Sequence, residues 1–157
     1  MSTFLSTYSN KVDRKGRVSV PAAYRAALTG ENFQGVIAYP SLTDRAIEAF
    51  GREMLERMNQ ERLARSMEGG AFEDVLLGGG NDSAVETVMA LANELPFDGE
   101  GRIILPAALC EHAGIDDRAV FVGRGSRFQI WAPEPYERRK ADEVEKLRQR
   151  LNGEGAS

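Results

Sequence analysis

The chain has 157 residues, 42% of them hydrophobic and 28% charged, with a formal net charge of −4. That length buries a core without disulfides or a structural metal, and the composition is globular rather than disordered. One cysteine, Cys110, and one histidine, His112, argue against an internal disulfide, a cysteine-based zinc site, a His-ligated metal and a His-containing triad.

No apolar run approaches ~18 residues, so no membrane span is expected. The first residues lack the basic flank and apolar stretch of a secretory signal, and a reducing cytoplasm is the expected compartment. The net charge hides an asymmetry. Residues 1–30 carry +4, from Lys11, Arg14, Lys15, Arg17 and Arg25 against Asp13, and the remainder carries −8. Screening limits the reach of surface charge to about 8–10 Å, so the local balance decides what a surface binds.

In chain order, a first strand is predicted over 8–12. Asp13-Arg14-Lys15-Gly16-Arg17 then makes a tight turn, with Asp13 bonding nearby backbone and Gly16 taking a positive φ. A second strand covers 18–20. Pro21 ends it and suits the first turn of a helix over 22–28, with Gly30 placed as its C-cap. Two strands follow, over 35–39 and 46–50. In the connector, Met54, Leu55, Met58 and Leu63 keep helical spacing. Gly69-Gly70 and Gly78-Gly79-Gly80 break it, and Asn81-Asp82-Ser83 offers an N-cap for a helix with Val85, Val88 and Met89 on one side.

At an offset of 85 the first motif returns. Asp98-Gly99-Glu100-Gly101-Arg102-Ile103-Ile104-Leu105-Pro106-Ala107-Ala108 matches six of eleven positions of the segment that begins at Asp13. The same elements are predicted around it: strands over 95–97 and 103–105, a helix over 107–113 capped by Gly114, and strands over 119–122 and 127–131. The last alternates, with Phe128 and Ile130 on one face. A charged helix over 135–151 carries Val144, Leu147 and Leu151 in a narrow stripe and an Asp142–Lys146 i,i+4 pair. Residues 152–157 are expected to be disordered.

Two units of about 45 residues are each too small to fold alone, so they should share one core. The expected class is α+β, mainly β: a small β-barrel with flanking helices. The boundaries fall at 4–53 and 92–136 for the two repeats, 54–91 for the connector and 137–157 for the C-terminal helix and tail.

The 13–17 loop is the densest basic element of the strand-rich part, exposed at a hairpin tip. With Arg25 in the following helix it makes a compact cationic cluster. Arginine forks match guanine O6/N7 and phosphate oxygens, and a two-stranded ribbon fits the major groove. The plainer reading is that Asp13 and Arg17 brace the turn, a role that Asp98 and Arg102 repeat around Gly101 in the second copy. Bracing and binding are compatible. Other candidates carry less. Cys110 and His112 are two apart on a helix and do not face each other. Gly78-Gly79-Gly80 lacks the Lys-Ser/Thr of a phosphate loop. Gly123-Arg124-Gly125-Ser126-Arg127 reads as a hairpin turn whose arginines could touch an anion. Asp116-Asp117 reads as solvated. Arg138-Arg139-Lys140 belongs to a stretch in which six basic and six acidic residues cancel, a solvated helix or a subunit contact.

Phe4-Leu5-Ser6-Thr7, the segment from Asp13 to Pro21, its copy from Asp98 to Pro106, and Arg127-Phe128-Gln129-Ile130-Trp131 resemble the bacterial MraZ family, over most of 4–136. The resemblance implies two SpoVT-AbrB-type swapped-hairpin repeats packed as one pseudo-symmetric barrel. It implies a nucleoid-associated transcriptional regulator, typically a repressor of the division and cell-wall gene cluster containing its own gene. The partners implied are double-stranded promoter DNA with G-rich direct repeats and further copies of the chain in a ring. By motif match the DNA-contacting residues are Arg14, Lys15 and Arg17, with Arg25 as the helix arginine and Arg102 as the motif arginine of the second copy. There Gly99 and Glu100 replace the Arg-Lys pair and Cys110 stands opposite Arg25, so the second copy is expected to serve mainly as the structural half.

The alternative from another class is an antitoxin-like module that masks a partner protein, which a stoichiometric co-purifying toxin would reveal. No nucleophile–base pair, metal spacing or phosphate loop points to an enzyme, and no cofactor is expected.

Overall fold

The computed structural model describes residues 3–68 and 84–156. The first half contains β1 (Thr7–Lys11), β2 (Arg17–Ser19), α1 (Ala22–Ala27), β3 (Gly35–Pro40) and β4 (Ile47–Phe50). Helices α2 (Arg52–Glu68) and α3 (Ala84–Leu91) follow. The second half repeats the pattern with β5 (Asn93–Pro96), β6 (Arg102–Ile104), α4 (Ala107–Ala113), β7 (Arg118–Gly123) and β8 (Phe128–Trp131), and α5 (Pro133–Ala156) ends the chain. The expected glycine breaks at 69–70 and 78–80 and the cap at 81–83 lie outside the described residues.

The same chemistry shapes both halves. Pro21 (φ −49°, ψ 138°) and Pro106 (φ −58°, ψ 144°) end the short strands and open α1 and α4 without a side-chain cap. Proline fixes φ and gives up no needed donor at that position. Gly114 closes α4 in the left-handed conformation, as expected. In the first half the C-cap is Leu28, two residues before Gly30.

Six strands form one antiparallel sheet in the order β1-β7-β8-β4-β3-β5, and β2 pairs with β6 in a separate ribbon. The first strand of each half pairs with the third strand of the other: Thr7 opposite Val122, and Gly35 opposite Pro96. The order is therefore pseudo-symmetric about the central β4–β8 pair. Among the described residues the strands form open sheets rather than the expected closed barrel. β1 and β5 remain edges, and β2 and β6 run only three residues before Pro21 and Pro106 turn the chain into helix, too short to seal the larger sheet.

The halves share one core. Val12, Val18, Val20, Tyr24, Leu28 and Val36 pack with Leu95, Ile103, Leu105, Leu109, Phe121 and Phe128. At its centre Tyr24 meets Phe128 at 4.8 Å between ring centroids and Phe4 at 5.4 Å. The Tyr24 hydroxyl donates to the Ser6 carbonyl at 2.7 Å, and burial pushes the phenol well above its ordinary range.

β8 is buried on both faces rather than one. Phe128 and Ile130 enter the shared core, and Gln129 and Trp131 lie beneath α5, with Trp131 against Tyr136. Gln129 accepts from Trp131 Nε1 (3.0 Å) and Arg124 Nε (3.1 Å) and donates to Glu48 (3.0 Å). Arg124 grips Glu143, and Arg139 reaches Asp44. These ties pin α5, which continues to Ala156 instead of ending near 151. The Asp142–Lys146 pair forms at 3.1 Å, and Val144, Leu147 and Leu151 face solvent. In α3, Val88 is buried while Met89 is exposed.

Candidate nucleic-acid interface

The 13–17 turn is built by one carboxylate. Asp13 Oδ1 accepts from the backbone N–H of Lys15 and of Arg17, both at 2.9 Å, and Oδ2 accepts from Arg17 Nε at 2.6 Å. The backbone closes the loop, with Gly16 N–H donating to the Asp13 carbonyl at 3.0 Å. Gly16 has φ +82°, and a Cβ there would stand 2.9 Å from the Leu105 carbonyl oxygen, so glycine is required twice over. These bonds to its charged form, the Arg17 amide first, hold the Asp13 carboxyl below its ordinary range.

The consequence is electrostatic. Asp13 spends its oxygens inside the turn, and of the Arg17 guanidinium Nε makes the bond to it. Arg14 and Lys15 are exposed and form no ion pair among the described residues. Over 13–17 the net charge is +2. Asp13, Gly16 and Arg17 build the loop, and Arg14 and Lys15 project from it.

The second copy repeats the frame. Asp98 Oδ1 accepts from the N–H of Glu100 (2.8 Å) and Arg102 (3.0 Å), and Oδ2 accepts from Arg102 Nε (2.8 Å). The Arg102 amide is again the largest influence holding the Asp98 carboxyl low. The Asp98 side chain in turn raises the Arg102 guanidinium, already a permanent cation. Gly101 has φ +76°. Unlike Arg17, Arg102 also meets a second carboxylate, Glu100 at 3.7 Å.

β2 and β6 pair antiparallel, Arg17 opposite Ile104 and Ser19 opposite Arg102, so the two turns sit at opposite ends of one ribbon. Leu105 N–H donates to the Gly16 carbonyl (2.8 Å), and Val20 N–H donates to the Gly101 carbonyl (3.1 Å), the same bond by the offset of 85. This pairing decides where Arg25 goes. Its Nε donates to the Val20 carbonyl at 3.1 Å, and a Cβ on Gly101 would lie 2.6 Å from that nitrogen. Arg25 therefore rests over the second turn, in an open groove with Phe97 and Asp98, rather than beside Arg14 and Lys15. Sequence spacing alone did not reveal this, because it comes from the cross-pairing of β2 with β6.

The arginines of the 123–127 segment are engaged. Arg124 and Arg127, at the ends of the 123–127 turn, are held by Glu143 and Glu48. Cys110 is half-buried, and burial pushes its thiol up. His112 Nε2 lies 3.3 Å from the Asp44 carbonyl. Among the described residues no group of three His, Cys, Asp or Glu side chains is placed to hold a metal, and no helix is long and apolar enough to cross a membrane.

Comparison with known proteins agrees on one family. A family model described as "MraZ protein, putative antitoxin-like" matches residues 88–153. The chain is 48% identical over 141 residues to the Transcriptional regulator MraZ of Rickettsia akari (strain Hartford), covering 88% of this chain and 87% of that one. Identity to its namesake in Rickettsia rickettsii (strain Sheila Smith) is 49%, with the same coverage. In Rickettsia bellii (strain OSU 85-389) it is 48% over 140 residues, 87% of this chain and 85% of the relative. With both braced turns in place and likeness of this extent along most of its length, the chain belongs to the MraZ family.

Proposed function

We propose that this protein is a sequence-specific DNA-binding transcriptional regulator that represses the division and cell-wall gene cluster containing its own gene. It binds G-rich direct repeats in promoter DNA as a ring of identical subunits and is nucleoid-associated. The observation that carries the reading is the 13–17 turn, which spends its only carboxylate internally and holds Arg14 and Lys15 out in solvent. The names of the relatives, transcriptional regulators all, support the same reading.

The turn works as a rigid fingertip. Arg14 offers a fork to guanine O6/N7, each good pair discriminating by ~1–3 kcal/mol. Lys15 offers a point charge to phosphate. Arg17 keeps its terminal nitrogens for a nearby phosphate while Nε holds the brace. Arg25 lies further along the ribbon, and Arg102, facing two carboxylates, is the weakest of the five expected contacts. One such turn grips weakly. Several turns on one duplex gain through effective concentration when their spacing matches the DNA repeats. The exchange of first strands between the halves supports reading 4–53 and 92–136 as swapped-hairpin repeats, joined by 54–91 and followed by 137–157.

Footprinting on the region upstream of the protein's own gene tests this. Protection of regularly spaced G-rich blocks is expected. Uniform or absent protection would contradict it. The alternative, an antitoxin-like module, draws on the family description and on the exposed Val144–Leu147–Leu151 stripe, and predicts a stoichiometric protein partner instead.

A further inference from the structure

The two turns share every hydrogen bond of their frame and differ in charge. Gly99 and Glu100 stand where Arg14 and Lys15 stand in the first copy, so the net charge over 98–102 is −1 against +2 over 13–17. The Glu100 side chain is 75% exposed and 3.7 Å from Arg102 Nε, which Asp98 already holds. Resting on the DNA-binding reading above, we propose that Glu100, with Gly99, is a specificity-determining residue that keeps the 98–102 turn off duplex phosphates. The fold then grips DNA chiefly through the 13–17 end of its β2–β6 ribbon, and Arg25 and Arg102 at the other end add little.

Three observations support this. The turns occupy equivalent places at opposite ends of the ribbon, related by the reciprocal bonds of Leu105 to Gly16 and of Val20 to Gly101. Two equal cationic turns would give the chain two equivalent DNA-facing ends, the arrangement that fits a two-fold site. Second, the identity of residue 99 is not dictated by the backbone. Gly99 is absent from the positive-φ residues, and a Cβ added there meets nothing within 4 Å, so an arginine would fit. Third, the extra cation beside this turn is committed. Arg25 lies over Gly101 with Nε on the Val20 carbonyl, and its charge brings the neighbourhood only to neutrality. A neutral turn with an exposed carboxylate displaces no counterions from the DNA, and Glu100 opposes the approach directly. One-sided engagement gives each subunit a direction along the duplex.

The test compares wild type, Glu100→Gln, the double variant Gly99→Arg/Glu100→Lys and Arg14→Ala/Lys15→Ala, each titrated with a short mixed-sequence duplex and with the duplex upstream of its own gene. The double variant restores two cations and is expected to bind the mixed-sequence duplex roughly tenfold tighter, with a log–log salt slope steeper by about 2. Glu100→Gln should give a smaller gain in the same direction. If both variants match wild type while Arg14→Ala/Lys15→Ala loses binding, the first turn binds DNA and the proposal for Glu100 is overturned. If Arg14→Ala/Lys15→Ala binds as wild type does, the DNA-binding reading of the first turn falls, and this proposal with it.

Discussion

In the 13–17 turn three cations surround one carboxylate, and in the 98–102 turn one cation faces two. Their backbones are nevertheless built alike, from an aspartate that accepts two amides and one guanidinium and a glycine at positive φ. The frame therefore does not depend on residues 14, 15, 99 and 100. Their charge is left to decide what each turn touches. Within five residues, the side chains that build the frame are interleaved with two that project from it.

The comparison assumes that both turns hang on one core. Phe128→Ala breaks that assumption most severely, because Phe128 packs with Phe4, Tyr24 and Phe121. It should cost about 3–5 kcal/mol and lower a single cooperative unfolding transition. Two transitions, one unchanged, would mean that the halves are independent. Next, Arg17→Ala should weaken binding to promoter DNA strongly while leaving oligomer size unchanged, whereas Arg102→Ala should leave binding close to wild type. Gel-shift titration beside light scattering separates the two, and equal loss in both variants would erase the distinction between the turns.

The glycines sharpen the comparison at smaller scale. Alanine at either position pays roughly 1–2 kcal/mol for the left-handed conformation. At Gly16 it also meets the fixed Leu105 carbonyl, but at Gly101 it meets the movable Arg25 side chain. Gly16→Ala should therefore lower the melting temperature more than Gly101→Ala. The smallest effect is with acid. Asp13 and Asp98 are held below their ordinary 3.8, so the charged braces stabilise the native state above that pH. Their contribution is lost as pH falls through the lowered folded values, and fluorescence or dichroism should find both turns intact at pH 5 and loosening only well below 3.8.

Much of this was legible in one dimension. The offset-85 repeat located both turns, both prolines and both following helices, because tight turns and proline act over a few residues. Asp13, Gly16, Asp98 and Gly101 were readable as turn builders for the same reason. What sequence spacing could not carry was pairing between halves. That pairing leaves the sheets open rather than closed in a barrel, and it sends Arg25 to Gly101 rather than to Arg14. The second face of β8 was hidden for a similar reason. Gln129 is polar, yet it is buried because α5 covers it and Glu48, Arg124 and Trp131 satisfy its amide. Arg124 and Arg127 read as free cations only until their carboxylates, 19 and 79 residues away in sequence, are in view.

The most direct measurement is the salt dependence of promoter-duplex binding by wild type and by Arg14→Ala/Lys15→Ala, with melting temperature followed in parallel. Wild-type affinity should fall steeply as salt rises, and the variant should lose affinity and flatten the slope by about 2 for each turn on the duplex, at an unchanged melting temperature. Equal affinity and equal slope for the two proteins would contradict the assignment of DNA contact to the 13–17 turn.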